Sequence, residues 1–352
     1  MKDEKILMMG FTPPEEGGSE RHIFELSLRI RNCEVFTQKN SACKSKIEAP
    51  MIKKPLFLRN ALFMIASLVY AVYLAVSFRK KYDIVHVHEN LLYFAIPILK
   101  LRHKVFATVH GINGFKFYDN KLLWLFFKSA LHFADRIIAV SKEDKKELGR
   151  EFDNVSYMPN GVDLSAYKGI SPKIENKITF IGRIHEQKGI VYLLEAFENI
   201  ENKFPDFKLE IIGEINDYAK ELRERFRSKR IIWRGFVSSR KEIARSLKSA
   251  YCIALPSIWE GLPLTLFEAL ASERPVMLSD IKAFRSVVKD EAVFFKPEDA
   301  GALSKKIMEM IKSQKKGESI GKKGARLAEK YGWENIALEL DNLYKQPIST
   351  KN

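Results

Sequence analysis

Cysteine is scarce in this chain. Three copies in 352 residues, Cys33, Cys43 and Cys252, lack metal-type spacing and cannot all pair. That fits a reducing compartment and leaves no structural zinc. Also missing are an Asp-x-Asp pair and any His/carboxylate cluster spaced for a divalent ion. No recognition-helix, zinc-finger or aromatic RNA-binding signature is present, so nucleic acid is not an expected partner. The first ten residues mix charges and pass straight into a strand, so no signal peptide is expected.

What is present describes a folded protein. Hydrophobic residues make up 46% and charged residues 29%, too apolar for a disordered chain. The length exceeds what one core usually supports, so two domains are expected. The net charge of +15 is unevenly spread. Between Lys39 and Lys128 fifteen Lys/Arg face four acids, a concentration suited to an anionic surface such as lipid headgroups.

Strands and helices alternate with short connections, which predicts parallel sheets covered by helices. Ile6–Met9 reads as a strand, Thr12–Gly18 as a turn and Arg21–Arg31 as a helix. Asp83–His88, Lys104–Val109 and Arg136–Val140 are further strands, apolar enough to be covered on both faces. Ser141 suits the N-cap of the next helix. Turn chemistry at Pro159–Asp163 leads into a linker reaching Lys177. The rhythm then restarts with strands at Ile178–Ile181, Leu209–Ile212 and Ile231–Trp233. The expected domains are 1–172, 173–332 and a final helix, 333–352, crossing back to the first. Two facing Rossmann-like sheets would place a site in the cleft between them.

Ala61–Phe78 stands apart, with Ser67 and Ser77 its only non-apolar members and basic residues at both ends. A membrane span needs roughly twenty such residues. Asp83 opens a core strand directly afterwards, so the run occupies a crossover-helix slot. A helix lying against an anionic membrane face fits better than a span, and simple burial stays open.

Two constellations carry chemistry. In the first, Glu260 and Glu268 bracket Gly261, Leu262, Pro263, Leu264 and Thr265, after an apolar strand from Tyr251 to Ser257. Pro263 suits a first helical position, and Glu268 then projects about two turns along the helix. Unpaired amides at such a start suit phosphate, while the carboxylates accept hydrogen bonds from sugar and ribose hydroxyls. In the second, Gly182-Arg183 and Lys188-Gly189 follow a strand and precede a helix. Two cations there can stabilise a departing diphosphate without a metal. In the first half, Gly17-Gly18 offers an amide-rich loop at a helix start. His110 ends a strand, beginning the loop to Gly114, where it could hydrogen-bond or handle a proton. His86 and His88 share a strand face and read as packing and polar lining rather than metal ligands.

In this order, these stretches resemble family 4 retaining glycosyltransferases of the GT-B architecture over nearly the whole chain. The matching segments are Pro13–Arg21, Asp83–His88, Val109-His110-Gly111, Ala134–Ser141, Pro159–Asp163 with Asn160, Gly182–Gly189 and Glu260–Glu268. The resemblance implies a nucleotide-sugar donor held by the second domain and an acceptor held by the first; the missing Asp-x-Asp and His/carboxylate spacing adds the expectation of no metal cofactor. It places Glu268 on the ribose hydroxyls, Glu260 on the donor sugar, and Arg183 and Lys188 on the diphosphate. Gly18 would approach that diphosphate, and His110 would contact sugar or acceptor. Glu214–Asp217, Ser272–Arg274 and Lys282-Ala283 depart from the family's small or glycine-rich turns, which puts specificity in doubt rather than activity. The expected activity is retaining transfer of a hexose-type sugar to a lipid-linked or glycan acceptor, by a cytoplasmic protein peripheral on the inner membrane face. A soluble glycan synthase, a sugar-nucleotide epimerase and a non-catalytic membrane-binding partner of another transferase remain alternatives.

Overall fold

The computed structural model describes residues 4–13, 17–50, 52, 55–112 and 121–347. The chain divides into two compact units: Met1–Asn160 with Trp333–Asn352, and Gly161–Gly332.

Seven strands build the first unit's sheet: β1 Ile6–Met9, β2 Cys33–Gln38, β3 Lys46–Ala49, β4 Ile84–Val87, β5 Lys104–Val109, β6 Arg136–Ala139 and β7 Val155–Tyr157. Their order is β3-β2-β1-β4-β5-β6-β7, and every pairing is parallel. From β1 the chain winds outward through β2 and β3, then returns to lay β4 on the other side of β1. The strand order therefore reverses between β1 and β4, a switch point where ligands of such sheets bind. Fully buried strands such as β1 and β4 explain the continuous apolar runs.

One sheet face carries Leu7, Met9, Val85 and Val87 in a single core with Phe63, Ala71 and Leu74 of helix Leu56–Val76, and Phe127 and Leu131 of helix Lys121–Leu131. The other face offers His86, which hydrogen-bonds the Tyr344 hydroxyl at 2.6 Å. Tyr344 lies on the last helix, Trp333–Lys345, which packs beside helix Gly18–Ser27. The helix read at Arg21–Arg31 thus starts and ends earlier. Gly17 is its extended N-cap, and after Ser27 the chain turns through Asn32 at φ 52°.

Six strands form the second sheet: β8 Lys177–Ile181, β9 Lys208–Ile212, β10 Ile231–Gly235, β11 Cys252–Leu255, β12 Val276–Ser279 and β13 Val293–Phe295. Their order is β10-β9-β8-β11-β12-β13, again all parallel, with the reversal between β8 and β11. Buried Glu210 on β9 is held by Lys177 at 3.1 Å, Arg234 at 3.0 Å and the Ser246 hydroxyl, so its charge is compensated.

Two boundaries move. The units meet at Asn160/Gly161 rather than 172/173, because the stretch read as linker packs on the second unit. Val162, Ala166 and Tyr167 join its core, and the Tyr167 hydroxyl donates to the Glu268 carbonyl at 2.9 Å. The apolar helix runs from Leu56 to Val76 rather than 61–78, with Pro55 as its extended N-cap. Phe63, Ser67, Ala71 and Leu74 form its buried stripe, while Ile65, Val69, Val72, Tyr73 and Val76 are exposed. By length and composition it could cross a membrane. The spacing of its buried residues commits one face to the first unit's core.

Candidate active site

In the second unit both sequence constellations fall at the switch point, on the loops leaving β8 and β11. Past β8, Gly182 is followed by Arg183, which is exposed and makes no hydrogen bond or ion pair among the described residues. His185 then caps a short 3-10 turn, Glu186–Lys188, by accepting from the Gln187 amide at 3.2 Å. Gly189 takes φ 61° and opens helix Ile190–Glu201. A Cβ there would lie 2.1 Å from the Pro256 carbonyl oxygen, so only glycine lets the two loops touch.

The β11 loop meets them. The Ile258 amide donates to the Gln187 carbonyl at 2.8 Å, and Gln187 Nε2 donates to the Trp259 carbonyl at 3.0 Å. Lys188 Nζ reaches Glu260 Oε1 at 2.5 Å, with side chains only 10% and 6% exposed. The Ser257 hydroxyl donates to the same oxygen at 2.7 Å. Glu260 is thereby held in place by its donors, and Lys188 keeps further N–H groups for a second anion.

Helix Leu264–Ala271 follows. Pro263 is its N-cap, at ψ 141°, rather than its first helical residue. Glu268 therefore sits just over one turn in, not two. No side chain caps this start, so its first-turn amides can serve an outside anion. Gly261, Pro263, Leu264 and Thr265 are part-exposed, while Leu262 is buried in the core. Glu268 Oε1 accepts from Arg240 at 2.5 Å, and burial beside Glu268 pushes the Tyr167 hydroxyl well up.

Three contributors escaped sequence reasoning: Gln187, Ser257 and Arg240. The first two lie inside the stretches already singled out, one residue from Lys188 and three from Glu260. Arg240 opens a separate helix, Arg240–Ser249, and nothing in the sequence connects it with Glu268.

In the first unit, His22, His86, His88 and His110 gather behind the C-terminal strand ends. Ring centroids lie 4.0 Å apart for His86–His88, 4.9 Å for His22–His110 and 5.7 Å for His88–His110. Their partners are neutral: Asn160 Oδ1 accepts from His22 Nδ1 at 2.8 Å, and His86 Nε2 meets Thr108 Oγ1 at 2.7 Å. Burial pushes all four down, His22 to about 4 against the pull of Asn160, and the others well below the ordinary imidazole value. Each stays neutral near pH 7. His110 is part-exposed, its Nε2 3.4 Å from His88 Nδ1. Asn160, 6% exposed, braces His22. Among the described residues no three His, Cys, Asp or Glu are arranged to hold a metal ion. Gly17 and Gly18 stand at the start of the His22 helix. Asn113 and Gly114 lie outside the described residues.

Two parallel-sheet Rossmann-like units, with paired carboxylates and cations at the second switch point, define a glycosyltransferase of GT-B architecture. Residues 16–166 match Glycosyltransferase Family 4, and residues 166–327 match Glycosyl transferases group 1. The chain belongs to glycosyltransferase family 4. One relative, the Escherichia coli UDP-Gal:alpha-D-GlcNAc-diphosphoundecaprenol alpha-1,3-galactosyltransferase, is 31% identical over 60% of this chain and 62% of its own length. Among solved structures, sucrose-phosphate synthase from Thermosynechococcus elongatus superposes with TM-score 0.81 at 20% identity, covering 97% of this chain and 98% of that one. HepE from Anabaena, in complex with UDP and glucose, gives 0.80 at 15% identity, covering 97% and 100%.

Proposed function

We propose that this enzyme moves a hexose-type sugar from a nucleotide-diphosphate sugar to a lipid-linked or glycan acceptor, keeping the anomeric configuration and using no metal ion. The carrying observation is the Lys188–Glu260 pair beside an uncapped helix start, with Glu268 just over a turn away. Arg183 and Lys188 hold the diphosphate, Glu260 orients the donor ring, and Glu268 takes the ribose hydroxyls. Gly18 approaches the diphosphate and His110 contacts the sugar or acceptor. The C1–O bond to phosphate breaks with its electron pair on the leaving oxygen, which takes the acceptor's hydroxyl proton on the same face. The acceptor oxygen then bonds C1. The two cations stabilise the growing charge, and the neutral His110 leaves the proton to the phosphate. Retention is carried by the family resemblance.

A lipid-linked acceptor is supported by the exposed apolar side of helix Leu56–Val76 and by exposed Phe78, Arg79 and Lys80 just beyond it. The E. coli relative's name specifies such an acceptor. In this reading the protein lies peripherally on the cytoplasmic membrane face.

Thermal melts with UDP, GDP, ADP, dTDP and their sugars test the donor. A true ligand at 100 times its Kd stabilises by about 2.7 kcal/mol. No shift with any of them removes the reading. Activity is expected to survive EDTA, and strict magnesium dependence would overturn the metal-free part. Arg183→Ala should lower turnover roughly 100-fold or more with little change in melting, because its side chain is exposed. Undiminished turnover would remove Arg183 from the diphosphate.

A further inference from the structure

We propose that Glu89 reads the acceptor: its carboxyl grips a ring hydroxyl of the acceptor sugar, giving one hydrogen bond and taking another. This rests on the glycosyltransferase reading above. Glu89 lies two residues past β4 and faces Gly10, the first residue past β1. It therefore occupies the order reversal of the first sheet, as Glu260 follows a strand at the reversal of the second. A Cβ on Gly10 would stand 3.3 Å from Glu89 Cγ and 2.5 Å from Ile23 Cδ1. A bare backbone makes the room the carboxyl occupies.

Glu89 as a residue is part-exposed, while its Oε1 is buried without a hydrogen-bond partner. A buried polar oxygen left unmet is costly, and folded proteins keep few that no ligand or water completes. The neighbouring Ser19 hydroxyl is shared between Glu20 Oε2, at 2.9 Å, and the Glu89 carboxyl, and it leaves Oε1 unmet. Among the described residues, the groups around Glu89 are Ser19 and Glu20 from helix Gly18–Ser27, Arg59 from helix Leu56–Val76, Tyr93 from the 3-10 turn Asn90–Ala95, and His88 beside it in the chain. Tyr93 gives its proton to the Thr108 carbonyl at 2.7 Å. Burial, then the charge of Glu20, raises the carboxyl to about 8, against smaller pulls from Ser19 and Arg59. At pH 7 the group is an acid that both donates and accepts, which is what a sugar hydroxyl needs opposite it. Beside Glu20 it does not suit a phosphate, so the neutral end of the acceptor binds here.

The test is titration with methyl α-glycosides of glucose, galactose, mannose and N-acetylglucosamine, read by saturation-transfer NMR with and without a nucleoside diphosphate. At least one glycoside should bind wild type at pH 7 and weaken fivefold or more by pH 9.5, as Glu89 ionises. Glu89→Gln should bind with no such alkaline loss, since an amide donates and accepts at every pH. Glu89→Leu should lose tenfold or more while nucleotide affinity holds. The proposal is overturned if none of the four glycosides binds, if Glu89→Gln keeps the alkaline loss, or if folded Glu89→Leu binds as wild type does. Should Glu89→Leu not fold, wild type and Glu89→Gln decide. Intact nucleotide binding with glycoside binding that does not depend on Glu89 sinks this inference alone, whereas failure of every nucleotide to bind sinks the glycosyltransferase reading.

Discussion

Replacing Lys188 with methionine should destabilise the second unit by about 3 kcal/mol and abolish most turnover. The pair it breaks is 2.5 Å long and nearly buried. At an effective dielectric of about 20 its Coulomb energy is roughly 7 kcal/mol, offset by the cost of desolvating both ions. Removing one partner leaves Glu260 buried and uncompensated, a loss of about 3–5 kcal/mol. The Ser257 hydroxyl and the longer Gln187 contact remain, which places the loss at the lower end. For a unit of this length that is a fall of about 6–12 °C in Tm. Urea unfolding followed by tryptophan fluorescence reads it, since Trp233 and Trp259 lie in this unit. The decisive comparison is Lys188→Met with Glu260→Gln, singly and together. The double variant should be more stable than the sum of the single losses implies, by about 2 kcal/mol or more. Additive losses, or a Lys188→Met change below about 0.5 kcal/mol, would refute the view of these groups as one unit.

Arg240→Met frees the Glu268 carboxylate from its 2.5 Å clamp and should weaken nucleotide binding about tenfold, or ~1.4 kcal/mol; unchanged affinity by calorimetry would remove Arg240 from the site. Aspartate at Val69 and Val72, which are 65% and 47% exposed, should cut co-sedimentation with anionic vesicles several-fold while stability stays within about 0.5 kcal/mol. Co-sedimentation equal to wild type would count against docking through this helix. Mild acid should unfold the first unit: His22 titrates near 4 when folded and about 6.5 when unfolded. The unfolded chain therefore binds more protons between those values, and stability falls as pH drops through them. His86, His88 and His110 act in the same sense, while Glu89, raised to about 8, opposes them. The net slope should exceed one proton per molecule between pH 6.5 and 5, and a flat profile by urea titration would contradict the buried neutral cluster.

The two sheets were legible because their central strands are covered on both faces, so β4, β5, β8 and β11 stand out as apolar runs. β2 and β3 were not, since Cys33–Gln38 and Lys46–Ala49 mix polar residues near a sheet edge. Glu260, Glu268, Arg183 and Lys188 were legible as strand-to-helix punctuation. Their partnerships were not: Lys188 with Glu260, and Arg240 with Glu268, join elements that only the crossover topology brings together. The apolar helix Leu56–Val76 shows the limit from the other side. Its apolar run was plain, but whether Leu68 or Val69 faces outward depends on the sheet. Leu68 packs against the core and Val69 does not.

The contact between Gly189 and the Pro256 carbonyl has a consequence for how such enzymes recombine. The turn at 186–189 and the loop at 256–260 are interlocked by backbone as well as by ions, so neither is an independent cassette. A chimera that inherits one from a donor sequence and keeps the other must preserve glycine at 189 and the Gln187–Ile258 pairing. Breakpoints that carry both segments together would transmit the site intact, whereas shuffling between residues 190 and 255 would split it.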